Sequence, residues 1–174
     1  MSHTEGAERT DAAAEPTEPT ELYGCPVSNS RGQLVIHPTR ETYIAAVKAL
    51  TDDGYTMCVD LTAVDYLAYG GRTLPPAVVA ERFEVVANFL DMGAGRRIRV
   101  RVQVPADDPT LPTLFDIHPG TEAPEREVYD MFGIEFTDHP DMSRILMPED
   151  WEGHPLRKDY EVGTIPVQFK EANS

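Results

Sequence analysis

Between residues 83 and 104 the chain alternates apolar and polar side chains with a period of two, which only β-strands satisfy. Phe83, Val85, Ala87 and Phe89 alternate with Glu84, Val86, Asn88 and Leu90. After Asp91-Met92-Gly93-Ala94-Gly95, Ile98, Val100, Val102 and Val104 alternate with Arg97, Arg99, Arg101 and Gln103. This spacing predicts a hairpin with one apolar face, in which the odd-numbered row of the first strand lies on the same face as the even-numbered row of the second. A slip of one residue would set arginines against that apolar row, so the register is strongly constrained. The opposite face is lined with arginine, and four arginines fall within residues 96–101, but Glu84 lies within reach of Arg101 across the hairpin. The chain as a whole has fifteen basic against thirty acidic side chains and a net charge of −15. That balance repels phosphate backbones and anionic lipid, and disfavours nucleic-acid or polybasic membrane binding.

Other elements assemble around the hairpin. Tyr43, Ile44, Val47 and Leu50 recur at helical spacing, with Thr39 after Pro38 as the expected N-cap and Asp52-Asp53-Gly54 as the stop. Residues 57–64 read as a strand, and 68–76 as a loop. Residues 111–117 are expected to form a short helix. A firmer helix runs from Glu122 to Phe132, with Thr121 to cap it, acids in its first turns and Gly133 to end it. The length, 174 residues, suits one ordinary domain. The fold class expected is α+β, a mixed β-sheet with packed helices and a long irregular C-terminal extension.

The boundaries follow from composition. Residues 1–21 hold six acids against Arg9, with Pro, Thr and Ala between them, and read as a disordered acidic tail. Residues 22–132 form the α+β domain. Residues 133–174 are interrupted by Pro140, Pro148, Pro155 and Pro166, yet contain thirteen large apolar residues. So long and apolar an irregular segment either folds back over its own sheet or lies along a partner. The second alternative predicts a segment that is ordered only on that partner. No run approaches the ~20 apolar residues of a membrane span, and the N-terminus lacks a signal-peptide pattern, so a soluble cytoplasmic chain is expected.

Chemistry is sparse. Glu125, Glu127 and Asp130 could act as paired acid and base, the basis of a stand-alone carboxylate hydrolase, although the helix start already accounts for acids here. His37, His118, His139 and His154 each precede a proline, and none has zinc-site spacing. Cys25 and Cys58 are too few for an iron–sulfur cluster or a disulfide framework, and Cys58 is placed as a small core residue. No glycine-rich phosphate loop lies between a strand and a helix. No cofactor is expected on this chain. Arg144, Arg157 and Lys158 are cations set in apolar, proline-rich runs, where each either answers a carboxylate or is a solvated surface charge.

A longer pattern resembles a known family. Glu125-Arg126-Glu127-Val128-Tyr129-Asp130-Met131-Phe132-Gly133-Ile134, His139-Pro140-Asp141, Arg144-Ile145-Leu146-Met147-Pro148 and Trp151-Glu152-Gly153-His154-Pro155-Leu156-Arg157-Lys158-Asp159-Tyr160 resemble the signature of the 30-kDa-type subunit of proton-pumping NADH:quinone oxidoreductase, respiratory complex I. The chain departs from that family at Ala123, Ser143 and Glu161, where an aromatic residue, an arginine and a proline are common. The resemblance implies an α+β domain in the peripheral arm, on the cytoplasmic side of the cell membrane. It further implies a C-terminal extension packed on the large hydrogenase-like subunit that lines the quinone pocket, beside the iron–sulfur subunits. NADH, FMN, iron–sulfur clusters and quinone would then be held by other subunits. Glu125, Arg126, Glu127, Arg144, Trp151, Arg157 and Lys158 would form or brace the partner interface. Within the resemblance, the equivalent subunit of a hydrogenase-like or deazaflavin-dependent membrane complex is the alternative.

Overall fold

A computed structural model describes residues 20–161. The elements are β1 (Glu21–Leu22), β2 (Cys25–Ser30), β3 (Gln33–Ile36), α1 (Tyr43–Asp52), β4 (Met57–Asp65), β5 (Phe83–Asp91), β6 (Arg96–Val104), β7 (Thr110–Pro112), α2 (Glu122–Phe132) and β8 (Glu135–Thr137). The main sheet has the order β1-β2-β3-β6-β5-β4, with β3 and β6 parallel and the other neighbours antiparallel. A second, two-stranded sheet pairs β7 with β8 in parallel. This is the mixed-sheet α+β class expected from sequence.

The hairpin forms in the anticipated register: Phe83 lies opposite Val104, Val85 opposite Val102, Ala87 opposite Val100 and Phe89 opposite Ile98. All eight are buried, and with Tyr43, Val47, Leu50, Val128 and Phe136 they make the core between the sheet and the helices. At the turn, Asp91 Oδ1 accepts the amides of Gly93 (2.9 Å) and Ala94 (3.0 Å), a side chain standing in for a backbone turn. Three of the four arginines of this stretch are answered within the chain. Arg101 Nε meets Glu84 Oε1 at 2.7 Å, Arg99 donates to Asn88 Oδ1 at 3.0 Å, and Arg96 reaches both Asp91 and Asp53.

Several local expectations are corrected. Glu21, placed in the tail by composition, forms β1 with Leu22, and residues 1–19 lie outside the described residues. Two tight turns explain the missed strands: Tyr23-Gly24 and Arg31-Gly32 both take positive φ, which suits two-residue hairpins. Helix α1 begins at Tyr43 rather than after Thr39. Thr39 and Thr42 instead bond each other's amides (2.9 and 3.3 Å) in a turn ahead of the helix. Thr121 stands at the N-cap of α2 but makes no side-chain cap bond, because its backbone is already helical (φ −83°, ψ −8°). Residues 111–117 do not form a helix. The first of them lie in β7, and only one turn follows, with the His118 amide bonded to the Leu114 carbonyl at 2.8 Å. Cys58 is half-buried, with its thiol pushed up to about 11 mainly by desolvation, whereas Cys25 is the core thiol.

Phe89 is central to this packing, 1% exposed and 5.1 Å from the His118 ring. Phe89→Ala is expected to cost about 3–5 kcal/mol in denaturant unfolding. Thr62→Ala, on the exposed face of β4, is expected to stay within about 0.5 kcal/mol. Equal losses at the two sites would contradict a one-sided core.

Candidate functional site

Helix α2 carries Glu125, Arg126, Glu127 and Asp130 of the residues singled out from sequence. Its end is the structural problem from which the rest of the site follows. A helix leaves its last four carbonyls without intrahelical partners, and here the Gly133 amide (2.8 Å) takes only that of Tyr129. The irregular segment after β8 satisfies the other three. His154 Nδ1 donates to the Asp130 carbonyl (3.0 Å), the Leu156 amide to Met131 (3.0 Å) and Arg157 Nε to Phe132 (2.5 Å). Arg157 Nη2 adds the Gly133 carbonyl at 3.3 Å. A guanidinium at this position also meets the negative end of the helix dipole.

Gly133 makes the arrangement possible in two ways. Its φ of 70° is left-handed. A Cβ placed there would fall 2.5 Å from His154 Nε2 and 2.6 Å from Arg157 Nη2. The capping groups therefore occupy the space that a side chain would fill.

The Asp130 side chain fixes the same segment from another direction. Fully buried, it accepts Arg144 Nη1 at 2.5 Å on one oxygen. The other oxygen takes the consecutive amides of Ile145 (3.1 Å), Leu146 (2.8 Å) and Met147 (2.8 Å). Burial alone would raise this carboxyl, but the Met147 and Leu146 amides and the Arg144 guanidinium outweigh it and hold the group below the usual range. Arg144 also donates to the Gly153 carbonyl (3.0 Å), tying the two arms of the segment together. Arg126 binds Glu122 one turn back and the segment through Ser143 Oγ (2.9 Å) and the Ser143 carbonyl (3.1 Å).

Two more contacts join the segment to the main sheet. Asp65, the last residue of β4, accepts the Lys158 amide at 2.9 Å. Arg82 bridges Asp65 (2.9 Å) and Asp159 (2.6 Å). Sequence reasoning passed over Asp65 and Arg82, which belong to no local pattern, and gave Asp159 no role beyond its place in the family run. Of the residues around Gly133, the sequence marked the glycine as a helix stop, His154 before a proline and Arg157 as a cation in an apolar run.

Glu125 serves a different contact. It is fully buried, accepts the Thr113 hydroxyl and the Leu114 amide (2.8 Å), and lies 3.9 Å from His139 Nε2. Desolvation raises its carboxyl. Glu127 is exposed. The three carboxylates thus point to three places: Glu125 to the β7 loop, Asp130 to the distal segment and Glu127 to solvent. They make no shared acid–base pair, and the hydrolase reading is corrected on that ground. Among the described residues no group of three or more His, Cys, Asp or Glu is placed to hold a metal ion.

Arg144 answers a carboxylate, as expected of it. Arg157 does not: its bonded acceptors are backbone carbonyls. Lys158 contributes its amide, while its side chain is exposed. Trp151 is half-buried, its amide bonded to the Pro148 carbonyl at 3.0 Å. The expectation that residues 133–174 order only on a partner is corrected for residues 133–161, which fold onto their own domain. Residues 162–174 lie outside the described residues. Ile134 and Phe136 enter the core, and Met142 and Met147 pack against it. Ile145, Leu146 and Leu156 remain outside, 40%, 55% and 46% exposed. Arg144 and Arg157 thus turn inward on α2, while these three apolar side chains face out among exposed charges such as Glu149, Asp150 and Glu152.

The arrangement matches known proteins along most of its length. Residues 36–165 match the family described as respiratory-chain NADH dehydrogenase, 30 kDa subunit. The chain belongs to this family. It is 40% identical over 149 residues to an NADH-quinone oxidoreductase subunit of Saccharopolyspora erythraea, covering 84% of this chain and 56% of that protein. It is 42% identical over 154 residues to NADH-quinone oxidoreductase subunit 5 of Thermus thermophilus, covering 85% and 72%. This member of the 30 kDa family thus spans just over half the length of the first of these relatives. Among solved structures, the trypsin-resistant fragment of Nqo5 superposes with a TM-score of 0.60 at 37% identity, over 68% of this chain and 89% of that one. A chain of the membrane-bound sulfane sulfur reductase, an archaeal respiratory membrane complex, has a TM-score of 0.66 at 22% identity, over 84% and 87%, and shares the fold.

Asp130→Asn keeps the shape of the side chain but removes the charge that four donors address. It is expected to cost about 3–5 kcal/mol at pH 7, the range for breaking a buried pair. Because the folded-state carboxyl is depressed, its stabilisation is present above the unfolded value near 3.9 and is lost as pH falls through the folded one. The stability gap between wild type and variant should therefore close between about pH 5 and pH 2 in denaturant titrations. A gap constant across that range would contradict the assignment. Gly133→Ala should destabilise by at least about 1 kcal/mol, from backbone strain and displacement of His154 and Arg157.

Proposed function

We propose that this chain is a non-catalytic subunit of the peripheral arm of proton-translocating NADH:quinone oxidoreductase. In this reading it lies on the cytoplasmic side of the cell membrane, docked on the large hydrogenase-like subunit of the quinone pocket and beside the iron–sulfur subunits. Its task is to hold that subunit in place while electrons pass from NADH to quinone. NADH, FMN, iron–sulfur clusters and quinone reside on other subunits. No helix among the described residues is long and apolar enough to cross a membrane, so attachment in this reading is through protein contacts.

The observation that carries the proposal is the braced segment after β8. Its arginines Arg144 and Arg157 are bound at the end of α2, and it presents Ile145, Leu146 and Leu156 outward on a rigid support, among exposed acids such as Glu149, Asp150 and Glu152. Preorganised apolar side chains of this kind cost little ordering entropy when a partner covers them. Membership of the 30 kDa subunit family supports the identity of that partner. The relation to the sulfane sulfur reductase extends to the fold and does not favour the hydrogenase-like alternative.

Leu146→Asp combined with Leu156→Asp tests this. Both side chains are exposed, so the unfolding free energy of the isolated chain should change by less than about 1 kcal/mol. Recovery of the other subunits with a tagged chain from membranes should fall sharply, and membrane NADH:quinone activity with it. Undiminished co-purification would place the docking surface elsewhere.

A further inference from the structure

At one end of the main sheet is a cavity of about 250 Å3 that the proposed docking does not use. It lies where β3 and β6 end and β5 is about to begin. Three stretches distant in sequence meet there: Pro38 follows β3, Val78 and Val79 precede β5, and Pro105 follows β6. These walls are apolar, but two other features of the lining are not. The first is His37, which lines the cavity and is itself 2% exposed. Desolvation pushes its pKa down to about 4, so the ring is neutral, with one donor and one acceptor nitrogen. Ser28 Oγ holds its Nε2 at 2.8 Å, while its Nδ1 is buried without a hydrogen-bond partner among the described residues. A buried polar atom in that state is costly, and a hydroxyl would complete it in either tautomer, since it can donate or accept. The second feature is charge. Glu41 and Glu81 line the cavity, and neither is ion-paired among the described residues. The lining cation, Arg40, is already bound by Asp108 (2.8 Å) and Thr110 Oγ (3.2 Å). Gln103 links the cavity to a buried cluster in which Arg101 (2.7 Å) and Arg72 (3.8 Å) both address Glu84. The two carboxylates are thus the charges left to act on an occupant.

We propose that this cavity binds a small organic amine that also carries a hydroxyl. Its apolar body lies against Val78, Val79 and the prolines, its hydroxyl meets His37, and its ammonium group sits at Glu41 and Glu81. The site does not depend on the proposed respiratory function. Sites for drug-sized ligands run from about 300 to 1,000 Å3, so an occupant of this smaller cavity is compact, on the order of ten non-hydrogen atoms. An organic acid of the same size would fit the walls equally well, but its carboxylate would stand beside two others without a free cation to answer it. Charge therefore decides between ligands that shape alone would admit.

Tyramine is the probe, because it combines an aromatic body, a hydroxyl and an ammonium group in a molecule of the required size. The test titrates it into the full chain at low salt and follows the Val78 and Val79 methyl resonances and the His37 ring resonances by NMR. All three sets should shift saturably, with a Kd on the order of 1 mM or tighter, as expected of so small a ligand. Three analogues separate the contributions. Phenethylamine lacks the hydroxyl, tyrosol has a hydroxyl in place of the ammonium group, and 4-hydroxyphenylacetate has a carboxylate there. The first two should bind at least about threefold more weakly than tyramine, and the third at least about tenfold. Glu41→Gln combined with Glu81→Gln should weaken tyramine about threefold or more and leave tyrosol unchanged. Shifts that rise linearly with millimolar tyramine and never saturate would overturn the proposal. So would 4-hydroxyphenylacetate or phenethylamine binding as tightly as tyramine, or a double variant that binds tyramine as well as the wild type, since the cavity would then be an unselective apolar cleft.

Discussion

The unsatisfied carbonyls at the end of α2 are the constraint on which this molecule's C-terminal half depends. Three of them are paired by groups more than twenty residues further along the chain. A buried carbonyl without a partner costs free energy of the same order as the hydrogen bond it lacks, so the helix end and the distal segment stabilise each other. The close approach of His154 and Arg157 then excludes any side chain at Gly133. The turn over residues 145–147 is drawn in by one carboxylate oxygen of Asp130. An irregular segment is thereby held without a ladder of its own.

This internal use of charge explains how a strongly acidic chain can present an apolar surface. Taken singly, Arg126, Arg144 and Arg157 have the look of partner-seeking cations, yet each is directed to α2 or to the segment that covers it. What this leaves outward includes Ile145, Leu146 and Leu156, beside exposed acids such as Glu149, Asp150 and Glu152. The interface proposed for the family thus rests on a layer of side chains that brace rather than touch the partner.

Legibility from sequence divided along the range of the interactions. The hairpin, both helices and the stop at Gly133 depend on side-chain periods and on one glycine, and the residues specify them locally. The strands β1 to β3 were missed because Tyr23 and Arg31 take positive φ without being glycine, and because β3 joins the sheet by a parallel pairing with distant β6. Leu111, Leu114 and Ile117 imitate a helix by their spacing, but Thr113 and Leu114 are bound by Glu125 and leave only one turn. The true acceptors of Arg157 escaped notice because backbone carbonyls leave no trace in side-chain identities. The family signature over residues 125–160 covers α2, β8 and the segment that closes the helix end. Its chemistry, a helix end satisfied by a returning chain, became visible only in three dimensions.

The segment after β8 is folded onto α2 by the chain's own interactions, before any partner is present. Native-state amide hydrogen exchange on the isolated chain measures this directly. The amides of Ile145, Leu146, Met147 and Leu156 are expected to be protected to within about tenfold of those in the last turn of α2. Exchange of these four amides at the rate of an unstructured peptide, while α2 stays protected, would contradict it.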